Sequence, residues 1–410
     1  MKIKNKIIVM SLIASTQSVL SGAVIPEDMG TVSGLIRLGY VDQDNAASTD
    51  TYATAVGGIL KYETPVWNDL KLGIAGYASQ KVHFATGSWD EGKTNSDFFD
   101  ADGKSFAYLG EAYVDYSAND LNVRIGRQLI DTPFVNTDEI RMLPNTFEAA
   151  MGTYSGIDKT TLSAGFIKRW AGYDSPRGHH DSINEFKQFG ETHESIGTYL
   201  LGITNESISD LLLQGWFYSI DEVTDIAYAD ATYKILYSDT RSLNLSAQAA
   251  HFAEDRDITD TMTGINGNVI GLAANYKWGM VTLGAAYNEA SNKDGKFIGL
   301  GLGGGPFYTS MEEWTIDGME DAKACRGSIS IDLSDAGVRG LTLSYAYGVF
   351  KSAPDDQRIN EWDIVATYAY SDELSADISY AKIDDTHDNA DGSNGDAGYD
   401  RFLARLSYRF

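Results

Sequence analysis

The feature that most constrains the fold is a period-two alternation of apolar and polar residues, which runs from Thr31 to Phe410. It occurs in segments of roughly 9 to 13 residues, which matches the length of a tilted transmembrane β-strand and exceeds that of most soluble strands. None of the seven prolines falls inside such a segment, where the missing N–H would break the hydrogen-bond ladder. The pattern therefore predicts one all-β unit, a transmembrane antiparallel β-barrel.

Eighteen such segments can be counted, and an even number suits a closed bacterial barrel. The connections between them alternate between short turns and long loops, as periplasmic turns and external loops do. The connection at 221–223 should be external but is short, which makes it the weakest place in the count. The predicted strands are 31–41, 51–62, 70–82, 105–116, 120–129, 148–155, 159–169, 194–205, 209–220, 224–237, 242–253, 265–278, 280–290, 322–333, 340–351, 360–370, 373–383 and 398–410.

The last segment indicates which face meets lipid. Its even positions from Phe402 to Phe410 are apolar, whereas its odd positions from Arg401 to Arg409 include three arginines. A large membrane barrel turns its apolar residues to lipid and its polar residues to a wet lumen. Because such a barrel closes its last strand onto its first, basic residues from both ends of the chain should form one lumenal wall. This predicted basic row consists of Arg37, Lys61, Lys71, Arg124, Arg401, Arg405 and Arg409.

The first residues have the pattern of an export signal. A basic start at Lys2, Lys4 and Lys6 is followed by a short apolar run at 7–14 and by small residues at 21–23. A transmembrane helix would need about 20 apolar residues, and a polar run at 15–18 interrupts this one. The predicted organisation is a signal peptide over 1–23 and a single outer-membrane barrel over 24–410.

The charge balance excludes one class of partner. The chain has 58 acidic residues against 32 basic ones, of which three lie in the export signal. Nucleic-acid binding requires a basic face, so no nucleic acid is expected as a partner. The single cysteine, Cys325, excludes an intramolecular disulfide and is predicted to be a small buried or lipid-facing side chain.

One stretch, 126–150, interrupts the alternation. It contains Pro133 and Pro144 together with several apolar residues that need shelter from water, which predicts a segment folded back inside the barrel. Its run from Asp138 to Phe147, D-E-I-R-M-L-P-N-T-F, resembles the constriction loop of the OprD family of outer-membrane porins. A second stretch, from Gly303 to Lys323, resembles the inward-folding seventh loop of the same family.

This resemblance implies a substrate-selective porin of the Gram-negative outer membrane, surrounded by lipid and lipopolysaccharide, as a monomer or loose homotrimer. In that family a row of arginines and lysines leads to an eyelet between the third and seventh loops. Carried over onto this chain, the resemblance assigns to the row Arg37, Lys61, Arg124, Arg401, Arg405 and Arg409. It assigns to the constriction Asp131, Asp138, Arg141, Tyr308, Ser310 and Asp317.

The leading hypothesis is therefore passive, selective diffusion of small carboxylate-bearing solutes such as amino acids and organic acids, because guanidinium groups bind carboxylates through paired donors. A barrel enzyme of the lipase or protease type is a second hypothesis, but the six histidines lie mostly in loops without a recognisable nucleophile motif. Two non-enzymatic hypotheses are a general non-specific porin and a structural or adhesive barrel, of which the last would need a plugged lumen. We expect no catalytic residue, no cofactor and no metal site.

Overall fold

The computed structural model describes residues 29–175, 183–188, 195–254, 264–292, 296, 298–299, 303–352, 357–387, 395 and 397–410. It contains one antiparallel sheet of eighteen strands, in which each strand pairs with its neighbours along the chain and β18 pairs with β1. The sheet is therefore a closed barrel, as predicted. The strands are β1 (Thr31–Asn45), β2 (Thr51–Glu63), β3 (Leu70–Lys81), β4 (Phe106–Ala118), β5 (Leu121–Gln128), β6 (Thr146–Ile157), β7 (Thr160–Ala171), β8 (Thr198–Asn205), β9 (Leu211–Ile220), β10 (Thr224–Ser238), β11 (Arg241–Glu254), β12 (Gly267–Trp278), β13 (Val281–Ser291), β14 (Lys323–Asp332), β15 (Leu341–Ser352), β16 (Gln357–Ala369), β17 (Leu374–Asp385) and β18 (Tyr399–Arg409).

The predicted strands match the observed ones in number and order. The largest differences in position are the end of β1, at Asn45 rather than 41, and the start of β8, at Thr198 rather than 194. The short 221–223 connection is a true turn between β9 and β10, in which the Val223 amide donates to the Ile220 carbonyl at 2.9 Å. The predicted export signal, 1–23, lies outside the described residues.

The tight turns use residues that tolerate a left-handed backbone. Asn119, in the two-residue turn between β4 and β5, has a φ of 51°, and Asp210, before β9, has a φ of 62°. Asparagine and aspartate adopt this conformation more readily than most residues, so they suit the short turns between antiparallel strands. The long connections all lie at the other end of the barrel.

The two faces of the sheet have the polarity of a membrane barrel. Leu60 and Leu272 point outward and are 61% and 63% exposed, whereas the inward-pointing Arg37 and Glu361 are 3% and 0% exposed. Apolar residues outside and polar residues inside are the reverse of a soluble barrel and match a lipid-facing wall. Within the part of the chain that the structure describes, no helix is long and apolar enough to cross a membrane. Cys325 is a free, exposed cysteine on β14.

Four external loops matter for the site. They are named L2 (82–105, between β3 and β4), L3 (129–145, between β5 and β6), L4 (172–197, between β7 and β8) and L7 (292–322, between β13 and β14). L4 is described at 172–175, 183–188 and 195–197, and L7 at 292, 296, 298–299 and 303–322.

Candidate functional site

Loop L3 folds into the barrel and crosses its lumen. Near its start, the ring of Phe134 packs edge-on against Tyr228 on β10 and Phe252 on β11, with ring centres 5.5 and 5.6 Å apart. Near its end, the carbonyl of Arg141 accepts hydrogen bonds from Arg37 on β1 at 3.1 Å and from Arg405 on β18 at 3.0 Å. Because β10 is nine strands from β1 in a ring of eighteen, L3 bridges opposite walls.

The part of the basic row on β1 and β18 surrounds the acidic residue Glu139 of L3. Arg37 and Arg409 both form ion pairs with Glu139, the latter at 3.3 Å. Arg405 donates to the Glu139 carbonyl at 2.7 Å and pairs with Asp377 of β17 at 2.8 Å. These arginines therefore hold the loop in the lumen as well as lining it.

A buried cluster of four charges joins L2, L3, L7 and β18. Arg141 of L3 lies 3.2 Å from Asp97 of L2 and 3.5 Å from Glu313 of L7. Arg401 of β18 forms ion pairs with the same two acids, at 3.2 Å for Glu313. The guanidinium of Arg141 also lies over the ring of Tyr173 in L4, 4.7 Å from its centre. Burial by itself lowers the pKa of Arg141, but Asp97 and Glu313 outweigh that effect and raise the pKa above its usual value.

The remaining members of the basic row, on β2, β3 and β5, form a second group. Lys61 pairs with Glu111 at 2.8 Å, Lys71 with Glu63 at 2.9 Å, and Arg124 with Asp115 at 2.6 Å. The ring of Tyr113 lies beside both Lys61 and Arg124, at 5.2 and 4.3 Å from its centre. Every member of the predicted row thus points inward and has an acidic partner.

Two of the predicted constriction acids hold the loops in place. Asp131 accepts hydrogen bonds from the amide and hydroxyl of Thr137, at 3.0 and 2.8 Å, and so closes a turn within L3. Asp138 contacts Asp174 of L4, and burial raises the pKa of both carboxyls, that of Asp174 to about 7. The amide of Asn145 donates to Asp174 at 2.8 Å.

The predicted L7 residues lie at different places along the loop. The Tyr308 hydroxyl donates to Asp230 on β10. The hydroxyl of Ser310 lies 3.3 Å from that of Thr315 within the loop, and burial raises the pKa of Asp317 to about 7. Of the six residues assigned by resemblance, the structure brings Asp138 and Arg141 close to L4 and L7 and attaches Tyr308 to the opposite wall.

L3 and L7 contact each other directly. The amide of Asn136 donates to the Gly304 carbonyl, and the rings of Phe134 and Phe307 are 5.9 Å apart. Together with the contact between Arg141 and Glu313, these interactions make the two loops one assembly across the lumen.

Sequence reasoning missed the acids that accompany the basic row. The alternation of β4 and β17 could have placed Glu111, Asp115 and Asp377 in the lumen, because they share the parity of inward residues. No comparable signal exists for Asp97 and Glu313, since their positions depend on how L2 and L7 fold.

A family model described as "outer membrane porin, OprD family" matches residues 89–398. The chain belongs to the OprD family. This porin is therefore a channel protein of the Gram-negative outer membrane, and the resemblance of its L3 and L7 stretches to that family is confirmed at the level of the family. No curated protein sequence matches it.

Several solved structures share the fold of this porin. Pseudomonas aeruginosa OccK9 (OpdG) is 18% identical with a TM-score of 0.78, over 92% of this chain and 97% of that one. Pseudomonas aeruginosa OccK1 (OpdK) is 16% identical with a TM-score of 0.77, over 92% of this chain and 98% of that one. Another structure of that organism's OpdK, with vanillate, is 16% identical with a TM-score of 0.76 over the same shares of the two chains.

Proposed function

We propose that this porin is a passive channel, and not an enzyme, that favours small carboxylate-bearing solutes, amino acids and organic acids among them. The observation that carries the proposal is the approach of Arg37, Arg401 and Arg405 to the place where L3 and L7 meet. Guanidinium groups offer planar, paired donors that match a carboxylate. Vanillate, found with OpdK, is such a carboxylate, although that protein is similar to this one in fold alone.

The pairing of the row favours solutes that carry both charges. Each basic residue of the row has an acid beside it, so a purely anionic solute meets attraction and repulsion at nearly the same place. The ammonium and carboxylate of an amino acid can each find a partner there. A succession of such weak sites satisfies the condition for conduction, which requires both easy entry and easy release.

Two further features belong to the proposal. The first is the export signal at 1–23, with the barrel over 24–410. The second is the constriction assigned by resemblance, in which Asp131, Asp138, Arg141, Tyr308, Ser310 and Asp317 shape the passage with lipid and lipopolysaccharide outside. The porin would act as a monomer or loose homotrimer.

The test replaces Arg401, Arg405 and Arg409 together with glutamine and compares uptake of an amino acid with that of a neutral sugar of similar size in proteoliposomes. A charge-assisted hydrogen bond contributes about 1.5–3 kcal/mol, so loss of one should lower the ratio of the two rates about tenfold. Because the change also loosens L3, the ratio is the readout and not either rate alone. In the triple lysine variant, which retains the charge without the planar donor pair, the ratio of the two rates should lie between those of the native porin and the glutamine variant. A general non-specific porin predicts an unchanged ratio, and that result would refute the proposal.

A further inference from the structure

Arg326 is a lumenal arginine outside the basic row. It lies on β14, where Ala324, Arg326 and Ser328 point inward while Cys325 and Gly327 are exposed on the outer face. In the ring of strands, β14 is separated from β18 by β15, β16 and β17. Arg326 therefore belongs to a different wall from Arg401 and Arg405.

No hydrogen bond or ion pair holds its guanidinium within the part of the chain that the structure describes. Among the residues that the structure describes, no carboxylate lies within ion-pair distance of Arg326, and its buried Nε has no hydrogen-bond partner. Asp363 of β16 lines the second of the cavities described below together with Arg326 and is close enough for their charges to attract. It stays beyond ion-pair distance and accepts a hydrogen bond from the Glu312 amide at 3.2 Å. Each member of the basic row, by contrast, forms an ion pair. A buried polar group without a partner is unfavourable, so the Nε donor of Arg326 would gain from a ligand.

The wall around Arg326 leaves room for such a ligand. In the sheet register Arg326 lies beside Ala286 of β13 and Gly348 of β15, so no large side chain flanks it on either strand. Two cavities of about 290 and 300 Å³ adjoin it, and both are lined by Arg326 and Ser328. Each cavity has the volume of roughly ten water molecules, at about 30 Å³ for each water.

Loop L7 covers both cavities and separates them from the basic row. Phe307 and Tyr308 line the first cavity, and Met311 and Glu312 line the second. The next residue, Glu313, turns to the other side and meets Arg401. A solute beside Arg326 and a solute beside Arg401 would therefore lie on opposite sides of L7.

We propose that Arg326 is a second carboxylate-binding site of the lumen, which holds a small organic acid between its guanidinium and the hydroxyl of Ser328. Each cavity has room for a molecule the size of benzoate. Arg326 supplies the paired donors that a carboxylate requires, and the serines of the same wall supply further ones, since Ser330 and Ser344 line the second cavity with their hydroxyls 2.9 Å apart. The inference rests on the proposed function only in that the acid enters through the same lumen.

The experiment uses the whole porin in planar bilayers, with benzoate added to a chloride electrolyte, and counts brief blocks of the single-channel current. Arg326→Gln should lower the frequency or duration of one class of block at least about tenfold. Arg326→Lys should keep part of the effect, because the charge remains while the donor pair is lost. The control is Arg358→Gln, which removes the same charge from an exposed position opposite Lys351 on β15.

Blocking requires binding but not passage, so this readout is independent of the uptake ratio that tests the proposed function. Blocks that are unchanged in both Arg326 variants would overturn the inference and leave the basic row untouched. Equal loss in the Arg326→Gln and Arg358→Gln variants would also overturn it, by showing an effect of net charge alone. Loss in the Arg326→Gln variant, with no change of the uptake ratio on removal of Arg401, Arg405 and Arg409, would support this site and refute the proposed role of the row.

Discussion

Arg141→Met removes one of two arginines from the buried cluster that joins L3 to L7. In the native porin Arg141 and Arg401 face the same two acids, Asp97 and Glu313, and all four side chains are at most 12% exposed. The variant leaves two carboxylates around a single guanidinium. Methionine fills similar space without charge, so the change tests the ion pairs and not the packing.

The size of the effect follows from the burial. Removing one partner of a buried ion pair destabilises by about 3–5 kcal/mol, because the other charge stays buried. At about 1.4 kcal/mol for each factor of ten, the ratio of docked to released L3 should fall at least about a hundredfold. We expect a larger mean conductance, more frequent fluctuations between levels, and greater cation selectivity from the uncompensated acid.

Single-channel recording measures all three quantities. Arg141→Lys retains the charge but cannot reach both acids or stack on Tyr173 in the same way, so it should give behaviour between that of the native porin and that of Arg141→Met. Combining Arg141→Met with Glu313→Gln restores neutrality and should recover part of the native behaviour. If Arg141→Met gave native conductance, fluctuations and selectivity, the cluster would have no part in holding L3, and the reasoning would be wrong.

Three further perturbations test other contacts of the loops. Burial raises the pKa of the docked Asp174 carboxyl to about 7, so docking of L4 on Asp138 should weaken as pH rises from about 4 to 7. Conductance fluctuations should increase over that range, and by less in Asp174→Asn, where only the raised pKa of Asp138 remains. Phe134→Ala removes a buried ring from the far end of L3 at a cost of about 3–5 kcal/mol, and should raise the frequency of large-conductance events, with Phe134→Leu as a milder control. Tyr308→Phe removes the hydroxyl donor that L7 gives to Asp230 and leaves the longer contacts from Tyr228 and Gln214, both at 3.5 Å. It should lower the thermal unfolding temperature of the porin, with about 1–3 kcal/mol at stake, and an unchanged temperature would argue against L7 being held there.

The barrel was predictable because its pattern is local. Strand length, proline placement and the parity of Phe402 to Phe410 each depend on neighbouring residues, and they gave the eighteen strands and the inward direction of the basic row. The inward fold of L3 was also predictable, since an apolar connection in a membrane barrel has few places to be sheltered.

The charge environment of the pore was not predictable, because it depends on contacts between distant loops. Asp97 and Arg401 are 304 positions apart along the chain and meet only because L2 folds towards β18. Arg326 follows the same alternation as the basic row, yet that it forms no ion pair with the described acids becomes visible only once those of β16 and L7 have been placed. Parity predicts where a side chain points, but not which charge it meets.

The attachment of L3 to Arg405 links the width of the passage to the order of assembly. L3 leaves the wall after β5. Arg405 donates a hydrogen bond to the Glu139 carbonyl of L3, although the two residues are 266 positions apart, and it lies on β18, the strand that closes the barrel. Before β18 joins the sheet, Arg37 of β1 is present to hold L3, but Arg405 is not. The contacts of L3 with Arg37 and Arg405 then tie together the two edges that meet at the seam. The last contacts that fix the width of the passage therefore form only when the wall is sealed, and an unfinished barrel holds its constriction loop from one side of the seam alone.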